Sequence, residues 1–211
     1  MSDRQTIPSS LAASPVIAIV RGGAGEHLLS ACEALLDRGI VHLEITTNTP
    51  GWERAVTELA AREAAVIGVG TVLTAEHVAR AAVAGASFVV APNTDARVGA
   101  AAAAAGLGWY PGAFTPTEIA LAWELGATAV KVFPAAQAGG PAFLSAVRAP
   151  LPHVLLVPTG GIGADDARAY LDRGAVAVGL GSPLLGDALD GGSLDDLRAR
   201  ADAVLLAVSG G

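Results

Sequence analysis

The sequence ATAVKVFP, residues 127–134, is the stretch around which the rest of the chain is organised. It is apolar, rich in β-branched residues and ended by a proline, which is the pattern of a buried β-strand. Lys131 lies in its middle and is the only lysine of the chain, since every other strongly basic residue is arginine. Arginine cannot usefully lose its proton, whereas a neutral lysine amine can attack a carbonyl group. The pattern therefore favours a Schiff-base nucleophile over a surface lysine whose stem packs against the protein.

The same unit recurs along the whole chain: an apolar strand, a polar or glycine-rich loop, and a helix-forming stretch rich in Ala and Leu. Eight strands are predicted, at residues 16–20, 41–45, 66–69, 88–91, 108–110, 127–133, 154–157 and 176–179. Helices are predicted at residues 26–37, 52–62, 75–84, 96–105, 116–125, 141–147, 164–172 and 194–208, after a short leading helix at 3–13.

Alternating strands and helices predict a parallel sheet, and eight βα units predict a closed (β/α)8 TIM barrel with a short N-terminal helix. The chain of 211 residues has no linker-like break in composition, so one domain, residues 1–211, is expected. The alternative is an open doubly wound sheet. Against it, no Gly-x-Gly-x-x-Gly motif opens the first helix.

The composition excludes several classes of protein. Hydrophobic residues make up 52% of the chain and charged residues 16%, which suits a large core and argues against disorder. The net charge of −7 offers no basic surface for nucleic acid or an anionic membrane. No apolar run is long enough to span a bilayer, and the polar N-terminus is not followed by a signal-peptide core. A soluble cytoplasmic protein is therefore expected, with its one cysteine, Cys32, packed as a small apolar residue.

Polar residues are predicted at the carboxyl ends of several strands, where barrels of this architecture carry their chemistry. In the second strand the aliphatic side chains share one parity, so Glu44 takes the other and is expected to point into the barrel. A buried carboxylate there is either an acid/base group or half of a structural ion pair. Arg21, at the end of the first strand, either neutralises Glu44 or binds a substrate carboxylate through two hydrogen bonds. Thr71, Pro92 and Phe133 end the third, fourth and sixth strands and are candidates for substrate contact.

Two glycine-rich turns follow the last two strands: PTGGI at residues 158–162 and GLGS at residues 179–182. Backbone N–H groups of such turns form a phosphate site in many barrels, although glycine also serves ordinary turns. Their occurrence together after the last two strands favours phosphate binding. The four histidines do not stand at metal-ligand spacing with other ligands, so neither a metal nor a cofactor is expected.

The motifs, in this order and spacing, resemble those of the class I 2-keto-3-deoxy-6-phosphogluconate (KDPG) and 4-hydroxy-2-oxoglutarate aldolase family. The resemblance covers nearly the whole chain. It comprises VIAIVR at residues 16–21, LEIT at 43–46, IGVGTVLT at 67–74, PGAFTPTE at 111–118, VKVFP at 130–134, PTGGI at 158–162 and VGLGS at 178–182.

The resemblance implies a lyase with Lys131 as its Schiff-base lysine and Glu44 as its acid/base residue. It also implies Arg21 and Thr71 at the pyruvyl carboxylate of the substrate, and a homotrimer. The substrate phosphate is expected at Gly160, Gly161, Gly181 and Ser182.

Two features of the sequence bear on the substrate, and they disagree. Asn48 stands where some members of the family have an arginine that binds the substrate carboxylate, a task that Arg21 is then expected to take. The segment NTPGWE, residues 48–53, resembles sister enzymes that act on the galactonate epimer. Thr159, which is expected to face the substrate, is typical of the gluconate enzymes instead. KDPG is therefore the expected substrate, with 2-keto-3-deoxy-6-phosphogalactonate or 4-hydroxy-2-oxoglutarate as alternatives.

The residues leave two other classes of function open. A metal-free phosphosugar isomerase, epimerase or decarboxylase would share the barrel and its phosphate turns without a covalent adduct. A sugar-phosphate sensor would bind the same ligand and leave Lys131 and Glu44 dispensable.

The expected reaction is the reversible cleavage of KDPG to pyruvate and glyceraldehyde 3-phosphate.

Overall fold

The structure is a computed structural model that describes residues 4–22 and 25–209 as alternating strands and helices. Its strands are β1 (Val16–Val20), β2 (His42–Thr46), β3 (Val66–Gly70), β4 (Phe88–Val90), β5 (Gly108–Tyr110), β6 (Gly112–Ala113), β7 (Val130–Val132), β8 (Leu156–Pro158) and β9 (Val178–Leu180). Its α-helices are α1 (Ser9–Ala13), α2 (Leu28–Asp37), α3 (Trp52–Ala60), α4 (Ala75–Val83), α5 (Ala96–Ala104), α6 (Pro116–Glu124), α7 (Gly140–Arg148), α8 (Ala164–Asp172), α9 (Ser182–Leu185) and α10 (Leu194–Ser209). A 3-10 helix spans Ala188–Asp190. None of the helices in these ranges is long and apolar enough to cross a membrane.

The predicted strands and helices all occur, with ends that differ by a few residues. The leading helix is shorter than the predicted 3–13, because Pro8 occupies the N-cap position of α1 and proline is excluded from helix interiors. Asp3, where that prediction begins, lies outside the described residues. The sixth predicted strand, 127–133, is reduced to β7.

Local sequence explains where the helices after β3 and β6 begin. At α6 the Thr115 hydroxyl accepts a hydrogen bond from the backbone N–H of Glu118 at 3.3 Å, and the Glu118 carboxylate accepts one from the N–H of Thr115 at 2.8 Å. This reciprocal capping box satisfies two N–H groups that the helix itself leaves unpaired. At α4 the Thr74 hydroxyl accepts from the N–H of His77. These caps define where α4 and α6 begin.

Every strand pair is parallel, as predicted, but the ladder is not one closed ring. The structure has a six-stranded sheet, in the order β5-β4-β3-β2-β1-β9, and a three-stranded sheet, in the order β6-β7-β8. Pro111 has no N–H group to donate and separates β5 from β6. On the other side, the β8 and β9 segments are linked by an isolated bridge between Thr159 and Gly179 and by a hydrogen bond from the N–H of Val176 to the carbonyl of Leu156 at 3.0 Å. The predicted parallel α/β fold is confirmed, with its strands in two open sheets in place of one continuous ladder.

Both faces of the strands are buried. On the helix side, Leu43 and Ile45 of β2 belong to a large apolar cluster. The inner face carries a smaller cluster near the amino ends of the strands, which Leu11 of α1 joins. His42, also on the inner face, meets Ser10 of α1 with 3.0 Å between Nε2 and Oγ, and burial lowers the pKa of His42 to about 4. The amino ends are thus occupied by packing, and the polar inner residues discussed below lie toward the carboxyl ends.

Candidate active site

Lys131 and Glu44 lie close together in the interior of the protein. Lys131 is the middle residue of β7 and Glu44 the middle residue of β2, and the two are only 5% and 2% exposed. Their Nζ and Oε1 atoms are 3.8 Å apart. The strand alternation predicted for β2 holds, because Leu43 and Ile45 face the helices while Glu44 faces the opposite way. Two strands from distant parts of the chain therefore bring an amine and a carboxyl together.

The environment of Glu44 favours its neutral form. Burial raises the pKa of the Glu44 carboxyl, and the positive charges of Lys131 and Arg21 offset part of that effect. Within the described part of the chain, Oε1 of Glu44 has no hydrogen-bond partner. A carboxyl with a raised pKa keeps its proton at a higher pH than an ordinary glutamate and is suited to proton transfer near neutrality.

Gly70, the last residue of β3, provides the space that the Glu44 side chain occupies. A Cβ atom at this position would lie 2.6 Å from Cγ of Glu44 and 2.7 Å from its Cδ, well inside ordinary contact distance. Any larger residue at position 70 would therefore displace the carboxyl. The glycine is a requirement of the site and not only of the turn that follows it.

Arg21 and Thr71 meet at the rim of the same region. Nη2 of Arg21 donates a hydrogen bond to Oγ1 of Thr71 at 3.2 Å. Arg21 makes no ion pair with Glu44 in the described residues and acts on it only at longer range, through the charge effect noted above. Its guanidinium group is therefore free to bind an anion while it touches Thr71.

The two glycine-rich turns line the same cavity as Arg21. Gly160 and Gly161 adopt positive φ angles of 97° and 73°, which only glycine takes readily. Thr159, just before them, is buried, and its hydroxyl donates a long hydrogen bond of 3.4 Å to the carbonyl of Val157. Gly179 leaves room for the Thr159 side chain, since a Cβ there would overlap it.

These groups line one cavity of about 510 Å³ at the carboxyl ends of the strands. Its lining includes every residue that the sequence marked as a candidate except Glu44, which is buried beside Lys131. The sequence reasoning did not single out Leu185, Leu189 and Asp190, which also line the cavity. They belong to α9 and the 3-10 helix, which are too short to produce a periodic pattern; their position directly after the GLGS turn was the available signal. No group of three or more His, Cys, Asp or Glu side chains in the described residues is arranged to hold a metal ion.

Residues 7–199 match the sequence model of the KDPG and KHG aldolase family. The chain belongs to this family. Membership confirms the resemblance seen in the motifs and, because aldolases are lyases, the predicted class of enzyme.

Two similar members of the aldolase family carry two of the three candidate substrates in their names. The 2-dehydro-3-deoxy-6-phosphogalactonate aldolase of Escherichia coli (strain K12) is 37% identical over 81% of this chain and 84% of its own. The 2-dehydro-3-deoxy-phosphogluconate aldolase of Treponema pallidum is 37% identical over 84% of this chain and 85% of its own. Equal identity to both does not separate the two substrates.

A solved aldolase structure links the fold to Schiff-base chemistry. KDPG aldolase from Legionella pneumophila, captured at low pH with pyruvate as a covalent carbinolamine intermediate, superimposes with a TM-score of 0.82 at 30% identity. The match covers 93% of this chain and 96% of that one. A carbinolamine is the adduct that precedes an imine, so chemistry of this kind occurs on this fold.

Proposed function

We propose that the chain is a class I aldolase that reversibly cleaves KDPG to pyruvate and glyceraldehyde 3-phosphate through an imine on Lys131. The observation that carries the proposal is the pairing of the only lysine of the chain with a buried glutamate at 3.8 Å. A lysine that served only as a positive charge would not have to be buried in this cavity beside Glu44. A non-catalytic sensor gives no role to that pair, and a phosphosugar isomerase gives no role to an imine on Lys131.

The reaction follows from the chemistry of the two groups. Neutral Nζ of Lys131 attacks the C2 ketone of the substrate, and loss of water leaves a protonated imine. A base removes the proton of the C4 hydroxyl, the C3–C4 bond breaks, and its electron pair moves into the imine to give an enamine. Glyceraldehyde 3-phosphate leaves; the enamine takes a proton at C3, and water releases pyruvate and free Lys131. Glu44, directly or through one water molecule, gives and takes the protons in these steps.

We assign the two ends of the substrate to two different groups of residues that line the cavity. Arg21 and Thr71 bind the carboxylate next to the ketone, a role that suits a guanidinium with no buried acid paired to it. Backbone groups of the two glycine-rich turns bind the phosphate, through Gly160, Gly161, Gly181 and Ser182. Pro92 and Phe133 border the carbon chain between the two ends. A volume of about 510 Å³ supports a ligand of this size.

For the C4 configuration we propose the gluconate form, with the galactonate form as the second candidate. The support is Thr159, a buried residue whose hydroxyl lines the cavity and is held by only a long hydrogen bond. A free acceptor or donor position on that hydroxyl can bind a C4 hydroxyl of one configuration. The galactonate alternative is supported by Asn48, which also lines the cavity in place of an arginine.

We further propose that the two sheets act as one (β/α)8 barrel in a single domain of residues 1–211. Three links support this: the Thr159–Gly179 bridge and the backbone hydrogen bonds from Thr128 to Trp109 and from Lys131 to Pro111. A homotrimer remains a proposal from the family resemblance. It is supported by the partly exposed apolar residues Phe114, Leu121 and Leu125, and sedimentation velocity tests it. A cytoplasmic location stays a prediction of the sequence.

The test of the function is cleavage of KDPG by the purified chain, with pyruvate release followed by NADH oxidation through lactate dehydrogenase. The matched variant is Lys131→Arg, which keeps the positive charge but removes the nucleophile. We expect turnover by the wild type and none by the variant, at a closely similar thermal midpoint. Substantial turnover by a folded Lys131→Arg variant would exclude the imine mechanism.

A further inference from the structure

Thr71 is held in an unusual backbone conformation beside the proposed carboxylate site. Its φ angle is 58°, and in the described residues it is the only amino acid other than glycine with a positive φ. A β-branched residue in the left-handed region is a conformational outlier and persists only where the surroundings hold it. The contacts that hold Thr71 come from the segment Thr46–Thr49, here called the threonine turn.

Thr47 makes hydrogen bonds to the two backbone carbonyl groups on either side of the Thr71 nitrogen. Its N–H donates to the carbonyl of Gly70 at 2.9 Å, and its hydroxyl donates to the carbonyl of Thr71, also at 2.9 Å. The turn itself is closed by a hydrogen bond from the N–H of Thr49 to the carbonyl of Thr46 at 2.9 Å. Thr47 therefore fixes both carbonyl groups that bracket the strained residue, within ordinary hydrogen-bond distance.

Thr49 contacts the backbone on both sides of Arg21 in the same way. Its hydroxyl accepts from the N–H of Gly22 at 3.4 Å and lies 3.5 Å from the carbonyl of Val20, to which it can donate. The hydroxyl groups of Thr46 and Thr49 lie 2.9 Å apart, and both side chains are buried. These two contacts to the backbone are longer than those of Thr47, so Thr47 is the stronger of the two supports.

We propose that the threonine turn is the positioning element of the carboxylate site, with Thr47 as the positioning residue for Thr71 and, through it, for Arg21. The inference rests on the proposed function, in which Arg21 and Thr71 bind the substrate carboxylate. One turn holds the backbone of both residues, and their side chains meet at 3.2 Å. Loss of the Thr47 hydroxyl frees the Thr71 peptide group, and the hydroxyl that Arg21 contacts moves with it. We expect the effect on substrate binding, because Thr47 contacts the backbone of Thr71, whereas Lys131 lies on β7 and Glu44 lies inside β2, before the turn begins.

The test compares Thr47→Val, which replaces the hydroxyl with a methyl group, with Thr47→Ser, which keeps the hydroxyl. Losing one hydrogen bond of this kind should raise KM for KDPG about three- to tenfold, with kcat changed by less than about twofold. Thr47→Ser should stay close to the wild type. Thr47→Ala, which adds no bulk, is measured in parallel in case the valine is poorly accommodated. The matched control is Thr128→Val, which removes a buried hydroxyl that accepts from the N–H of Trp109 at 3.0 Å, near the other end of the strands. It should leave KM unchanged.

A double-variant cycle separates positioning from general destabilisation. In a Thr71→Ala background, Thr47→Val should raise KM by less than about twofold, since the hydroxyl that Thr47 positions and that Arg21 contacts is already gone. The full increase in that background, or an unchanged KM in the wild-type background, would overturn the inference. Borohydride trapping of pyruvate on wild-type Lys131 is run beside it. No adduct there would overturn the proposed function and this inference together, whereas an adduct with an unchanged KM for Thr47→Val overturns the positioning role alone.

Discussion

Gly70→Ala is the smallest change that should separate Glu44 from Lys131. The added Cβ would lie 2.6 Å from Cγ of Glu44, whereas non-bonded carbons rest at about 3.5–4.0 Å, so the carboxyl must move by about 1 Å. The φ angle of Gly70 is not positive, and the backbone itself therefore accepts alanine. Misplacing a catalytic group by about 1 Å can cost up to about 100-fold, so we expect kcat to fall about 10- to 100-fold. Overpacking should also lower the free energy of unfolding by about 1–3 kcal/mol.

The assay is pyruvate release coupled to lactate dehydrogenase, with urea unfolding of the same preparations. Gly163→Ala is the matched control, because a Cβ at that position meets nothing within 4 Å and its φ of −100° suits any residue. It should leave kcat unchanged. A folded Gly70→Ala variant that turns over at the wild-type rate would show that the placement of Glu44 beside Lys131 does not limit the reaction.

Three further predictions concern pH, substrate choice and metal. Burial raises the pKa of Glu44 above its ordinary value of 4.5, so this group contributes stability that is complete below that value and lost as the pH rises through the folded pKa. Urea unfolding should therefore show Glu44→Gln gaining stability relative to the wild type between pH 4 and pH 8, and a constant difference would refute the raised pKa. Thr159→Val should erode a gluconate preference of about two- to tenfold, the value of one hydrogen bond, in kcat/KM for the two C4 epimers. An unchanged ratio of the two kcat/KM values would indicate that the Asn48 segment discriminates between the epimers. Dialysis against a chelator should leave turnover unchanged, because the imine accepts the electrons; a loss that zinc restores would indicate another mechanism.

Much of the fold could be predicted because it depends on local patterns. Parity in β2 correctly placed Leu43 and Ile45 toward the helices and Glu44 toward the opposite face. What could not be predicted was continuity between strands. Pro111 separates β5 from β6, and the β8 and β9 segments share one isolated bridge and one further backbone hydrogen bond, because pairing depends on the relative orientation of neighbouring strands. The sequence of a single segment does not determine the geometry of strand pairing.

The residues of the candidate site also differ in whether the sequence alone could reveal them. Lys131 was conspicuous because it is the only lysine and stands in an apolar strand, and a family motif surrounds it. Gly70 and Thr47 were not, since their importance lies in contacts with residues far away in the sequence. One leaves space for Glu44, and the other holds the backbone of Thr71. Contributions of this kind become visible only when the strands are assembled.

The central claim, an imine on Lys131, is tested most directly by trapping the adduct. The chain is incubated with pyruvate, reduced with borohydride and mapped by peptide mass spectrometry. Because the chain has one lysine, the α-amino group is its only other primary amine, and the two sites fall in different peptides. The account predicts a reduced pyruvyl group on Lys131. Cleavage of KDPG with no adduct on Lys131, or with an adduct only on the α-amino group, would contradict it.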